Sequence, residues 1–296
     1  LKESIQTKQE QRQETEKETK DDPYPTLDQL RQEDVEEDPY LIFTIRNAQG
    51  EVVRHLKASA TKGLKRLTWD MRHNTPAPVV GRYTPAPDVL FGSAELGHLA
   101  MPGTYTVSLS KFENGEVSKL TEPVSFDLNY LNQSSMPETD WAAYDAFVNK
   151  VADIRKAFSA ANDIRGELMK NLNHIQSAIL DMPAAPEGLL AKASELKLQL
   201  NELSRKMNGD RTLARHQFET APSIGDRIGR CEYGLWDVTS EPTQVYLDAY
   251  RIAAKQFGPA LQELKLIANE VAALEKQIEM NNAPYTPGRW PEWSGQ

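Results

Sequence analysis

"LIFTIRNAQGEVVRHLK", residues 41–57, alternates apolar and polar side chains on both sides of a short polar stretch. A period of two belongs to a β-strand, whose successive side chains leave opposite faces. Asn47-Ala48-Gln49-Gly50 supplies turn chemistry between the two runs, with Gly50 free to adopt a positive φ. Residues 41–57 therefore predict a β-hairpin, and the hairpin sets the class of its surroundings.

The alternation continues downstream. In "GLKRLTWDMR", residues 63–72, Leu67, Trp69 and Met71 share one parity and predict the buried face of a strand. Leu64, Arg66, Thr68, Asp70 and Arg72 share the other. Residues 73–100 form a long loop rich in Pro, Gly and Ala, and a loop of that length carries a role or covers something. In "MPGTYTVSL", residues 101–109, Tyr105, Val107 and Leu109 resume the alternation. Asn114-Gly115 is the strongest short hairpin signal, and Val124, Phe126 and Leu128 close the set. Six or seven strands over residues 39–132 predict an Ig-like antiparallel β-sandwich.

After Asn132 the period becomes 3.6. Thr139 or Asp140 caps a helix from Trp141, with a stripe running from Tyr144 through Val151, Phe158, Ile164, Leu172 and Ile179 to Met182. Pro183 and Pro186 end it. Leu189, Ala193, Leu196, Leu200, Leu203 and Met207 mark a second helix, stopped by Asn208-Gly209. A short helix follows Pro222, and a last long one follows Pro242, kinked at Pro259. The fold class is thus β plus α in several domains: the sandwich, then an antiparallel bundle of long helices over residues 137–282. In the tail, 283–296, Pro excludes helix, and Trp290 and Trp293 predict that the tail folds back to bury them.

Of the 34 basic and 43 acidic residues, residues 1–40 hold six and thirteen, so most of the net charge of −9 sits there. The near-neutral remainder lacks the clustered Lys/Arg that nucleic acid requires. Residues 1–20 are almost wholly polar and predict a solvated helix or disordered linker, or a tether to a preceding domain; 1–38 is read as a polar connector. Thr26 or Asp28 caps a short helix through Arg31. No run of apolar residues is long enough to span a membrane. The chain begins at Leu1, which reads as a processed product or a piece of something longer.

No catalytic, cofactor or metal motif stands out. The five histidines lack metal spacing, and the single cysteine forms neither an internal disulfide nor a cysteine zinc site. Cys231 lies near Arg227 and Arg230, which would lower its pKa, yet no partner marks it as a nucleophile. Asp70 reads as a salt link to Arg66 or Arg72, as a turn cap, or as a catalytic carboxylate. Trp-Asp occurs at 69–70 and 236–237, but a WD-type propeller needs the pair at a repeating interval of about 40–45 residues.

Asn47, Gly50, Val52, Val53, Arg54, then Gly63, Leu64, Arg66, Trp69, Asp70, Arg72, then Pro102, Gly103, Tyr105 and Val107 form a pattern. It resembles the Ig-like module of flagellar hook-capping proteins and of bacterial sortilin-like proteins with BNR repeats. The connector, the helical pair, "PSIGDRIGR" at 222–230 and "APYTPGRWPEW" at 283–293 are similar to the region after the β-propeller in large exported Bacteroidota-type proteins. The resemblance implies a non-catalytic C-terminal region, exported to the periplasm, outer membrane or cell surface. It would brace a β-propeller, in the same chain or as a nicked partner, and contact other envelope proteins. The alternative is an accessory carbohydrate- or peptide-binding part of a glycosidase-like or peptidase-like protein. Candidate interaction residues are Trp69, Asp70, Arg72, Tyr83, Trp290 and Trp293.

Overall fold

The computed structural model describes residues 1–18, 24–78, 96–131, 140–290, 293 and 295. The chain divides into two compact units, one formed by Leu1–Thr75 and Gly81–Trp141, the other by Pro76–Val80 and Ala142–Gln296.

The first unit is built on the hairpin. Strands β1 (Tyr40–Arg46) and β2 (Val52–Ser59) pair antiparallel, with a bulge at Ile45/Arg46. Asn47 closes the turn: its side chain accepts from the amides of Gln49 and Glu51, and Gly50 sits at φ 81°. Strand β3 (Gly103–Glu113) pairs with the other side of β1. Its outer edge carries two short strands end to end, β4 (Glu116–Lys119) and β5 (Val124–Leu128). Asn114 and Gly115, both at positive φ, make the tight β3–β4 turn. The result is one five-stranded antiparallel sheet, and its core gathers Ile45, Val53, Ala100 and Tyr105.

The strand expected in residues 63–72 is not there. Among the described residues this stretch is irregular backbone, ending in a single bridge between Arg72 and Leu99. Trp69 and Leu67 are half-buried as expected, but Met71 is exposed and turns through φ 57°. A left-handed residue cannot continue a strand. The turn redirects the chain so that residues 96–100 lie alongside.

The amino-terminal segment, read as a solvated helix or linker, contains a largely exposed helix and is tied to the hairpin unit. The amide of Ile5 donates to the Ala60 carbonyl, and Leu1 and Gly63 exchange two backbone bonds. Helix α1 (Lys8–Glu18) opens on a reciprocal cap between Thr7 and Glu10. Helix α2 (Leu27–Asp34) is capped by Thr26 as expected, and runs past Arg31. The Arg12 fork grips Glu33 through two bonds of 2.8 Å, joining the two helices and holding the Glu33 carboxyl below its ordinary range.

The second unit is helical: α3 (Trp141–Leu180), α4 (Leu189–Asn208), α5 (Arg211–Arg215), α6 (Ile224–Leu235) and α7 (Gln244–Met280). The predicted stripe of α3 is buried except at Ile164, which is exposed, and Leu168, which is half-buried; all six predicted residues of α4 are buried. Side-chain pairs fix the directions. Gln176 meets Ser194 and Asn162 meets Asn208, so α4 runs antiparallel to α3. Lys206–Glu263 and Lys192–Glu270 make α7 antiparallel to α4. Phe147 lies on Tyr250 and Phe158 on Phe257, so α3 and α7 run parallel. Helix α6 packs on α7 where Gly234 faces the Tyr246 ring, and a methyl group there would come within 2.2 Å of the ring. Ser223 caps α6 reciprocally with Asp226.

The tail folds back only in part. Ala283 joins the helical core and Thr286 is buried, but Trp290 and Trp293 are 88% and 87% exposed.

Candidate functional site

The motif residues of the first unit converge on a junction between residues 69–74 and 96–100. The Trp69 ring tilts onto Tyr105 at 5.4 Å and meets the edge of Phe126 at 6.0 Å. Its indole N–H donates to the Arg72 carbonyl at 3.0 Å, so the ring packs on the sheet while its polar edge closes a turn. Asp70 caps the same turn by accepting from the Arg72 amide at 3.1 Å. Its other oxygen lies 3.7 Å from Arg54, a partner on β2, not from Arg66 as one reading expected.

Two arginines staple the backbone. Arg54 donates to the His73 carbonyl at 3.0 Å, and Arg72 donates to the Gly97 carbonyl at 3.1 Å. The backbone adds His73 N–H to the His98 carbonyl and Ala100 N–H to the Met71 carbonyl. Gly97 lies so close that an added methyl would come within 2.2 Å of the His73 carbonyl oxygen. His73 stacks on His98, with ring centres 4.1 Å apart. His98 is buried, which pushes its pKa down to about 3, helped by His73 and Arg72.

Of the predicted interaction residues, the structure brings Trp69, Asp70 and Arg72 into this junction. Tyr83 lies outside the described residues. Trp290 and Trp293 belong to the other unit. Arg54, His73, Gly97 and His98 were missed as members. Arg54 stood in the sequence pattern without a role, and for His73, Gly97 and His98 the ends of the long Pro/Gly-rich loop, at 73 and 100, were the signal.

Elsewhere the chemistry is quiet. Among the described residues no group of three or more His, Cys, Asp or Glu is placed to hold a metal. Cys231 is buried and its thiol is pushed up to about 11 by burial, reversing the lowered pKa that Arg227 and Arg230 suggested. Its sulfur lies 3.4 Å from the Tyr246 carbonyl, a packing contact at the α6–α7 interface. Tyr144 is buried with its hydroxyl 2.8 Å from the Leu235 carbonyl, and burial raises its pKa to about 12. A groove of about 1000 Å³ runs between the end of α4, the start of α6 and Pro259; Lys206–Glu263 and Arg205–Asp210 pair along its lining, which also carries Glu219 and Lys255. No described helix is long and apolar enough to cross a membrane. No family model, curated protein or solved structure matches the chain.

Proposed function

We propose that this chain is a non-catalytic C-terminal structural and interaction region of an exported, sortilin-like β-propeller protein. In this reading it braces the propeller and offers surface for protein contact. The observation that carries it is the use made of Trp69, Asp70 and Arg72. The indole, the carboxylate and the guanidinium are each committed to holding backbone, and the nearby imidazole of His98 is buried.

The sheet unit is then an Ig-like module in which the irregular segment carrying Trp69 stands in the place of a second layer. Support comes from the packing of Trp69 against Tyr105 and Phe126 on the inner face of the sheet. The contact surface would include the carboxy-terminal tryptophans. Two indoles at 88% and 87% exposure are the largest apolar groups left to solvent among the described residues, and exposed apolar surface marks interaction sites when it forms a patch.

The test is to sequence the reading frame ahead of Leu1, produce any propeller it encodes separately, and mix the two. Co-elution in size-exclusion chromatography at micromolar concentration is the expected result. A frame without propeller repeats, or two species that elute apart at every concentration, would overturn the reading.

A further inference from the structure

The dipeptide Asn-Gly occurs twice, at 114–115 and 208–209, in two opposite settings. The first forms the whole turn between β3 and β4, where Glu113 faces Glu116 across the ladder. Asn114 and Gly115 are both exposed, at φ 52° and 79°, and a methyl group added at Gly115 would meet nothing within 4 Å. Among the described residues the Asn114 side chain has no hydrogen-bond partner. The second Asn-Gly closes α4, and both of its residues are half-buried. There the Asn208 side-chain nitrogen donates to Asn162 Oδ1 at 2.8 Å, and the Gly209 N–H donates to the Arg205 carbonyl at 2.9 Å.

We propose that Asn114 is a modification site, deamidated by attack of the Gly115 backbone nitrogen on its side-chain Cγ, while Asn208 is held from the same reaction by its two hydrogen bonds. Glycine leaves the approach open because it carries no Cβ. The Gly115 nitrogen gives up its proton and bonds to Cγ; the Cγ–Nδ2 bond breaks, and that nitrogen leaves as ammonia with the proton. Water then opens the cyclic imide at either carbonyl. One water enters, one ammonia leaves, and the residue ends as aspartate or isoaspartate. At Asn208 the leaving nitrogen and the attacking N–H are both engaged, so both bonds must open first. The products change the β3–β4 turn. Either one adds an anion between Glu113 and Glu116. Isoaspartate also lengthens the backbone by a carbon, which a two-residue turn cannot absorb without shifting the register it closes. Among the described residues β4 pairs only with β3, so β4 is the element that loosens.

The test is to age the full chain at mildly alkaline pH, folded and in concentrated urea, and to follow its tryptic peptides by mass spectrometry against an unaged sample. Cleavage after Lys111, Lys119, Lys206 and Arg211 releases peptides 112–119 and 207–211, each with a single Asn and no Gln, so the site of conversion is unambiguous. In the folded chain 112–119 should convert and 207–211 should lag by about tenfold or more. In urea the two rates should converge, which separates the fold from the local sequence. The second readout is amide hydrogen exchange on the aged chain: the isoaspartate form should lose protection in β4 while the β1–β3 ladder keeps it. The proposal is overturned if 112–119 stays intact in the folded chain, if the two peptides convert alike there, or if the isoaspartate form keeps β4 protected.

Discussion

Trp69 and Asp70 sit side by side and do different physical work. The indole contributes packing area on the sheet and one hydrogen bond; the carboxylate contributes a turn cap and a loose pairing with Arg54. The two roles of Asp70 separate by substitution. Asp70→Asn keeps an oxygen for the Arg72 amide and loses only a partly exposed ion pair, so urea denaturation should register less than about 1 kcal/mol. Asp70→Ala also strands that amide and should cost about 1 kcal/mol more. Equal costs would mean that the turn does not depend on the cap. At Cys231, sequence neighbours misled for a simple reason: nearby Arg codons raise the expectation of a thiolate, but burial in the helical unit outweighs them. Burial is set by residues distant in sequence, and so was not legible there.

At the level of elements, the helices were far more legible than the irregular parts of the sheet unit. The α4 stripe repeats without interruption, and burial followed it residue by residue. Leu196 is fully buried and Leu198 is 67% exposed on the same helix. Leu196→Ala should therefore cost about 2–5 kcal/mol and Leu198→Ala less than about 0.5, measured by thermal or chemical unfolding. The hairpins were equally plain, because Asn47–Gly50 and Asn114-Gly115 dictate their own backbone. "GLKRLTWDMR" carried a clean strand alternation and yet forms no strand. Its parity survives as burial of Leu67 and Trp69, but the left-handed turn at Met71 depends on bonds to residues 96–100, which no local pattern announces. The Thr7–Glu10 capping box that opens α1 is legible in the sequence as Thr-x-x-Glu. The α6–α7 contact offers a prediction of its own. Gly234→Ala drives a methyl into the Tyr246 ring and should destabilise the helical unit by about 1–3 kcal/mol; adding Tyr246→Leu should recover part of that loss. If the double variant is no more stable than Gly234→Ala alone, the two residues do not share that contact.

For the whole molecule, each unit contains its own core, one on a sheet and one among three long helices. Function was the least legible level, because neither the sequence nor the described residues gather a reactive constellation, and binding surfaces leave weaker marks than active sites. The exposed tryptophans are the clearest such mark. They lie on a tail whose nearer part is anchored by the buried Ala283 and Thr286. Exposed aromatic anchors of this kind commonly carry a large share of an interface's binding energy. The most direct measurement is isothermal titration of the chain into the propeller proposed above, if the reading frame encodes one, with wild-type protein and with Trp290→Ala/Trp293→Ala. The account predicts saturable binding at one-to-one stoichiometry, weakened about 30-fold or more in the double variant, the equivalent of about 2 kcal/mol. Absence of binding by the wild-type chain, or equal binding by the double variant, would contradict it.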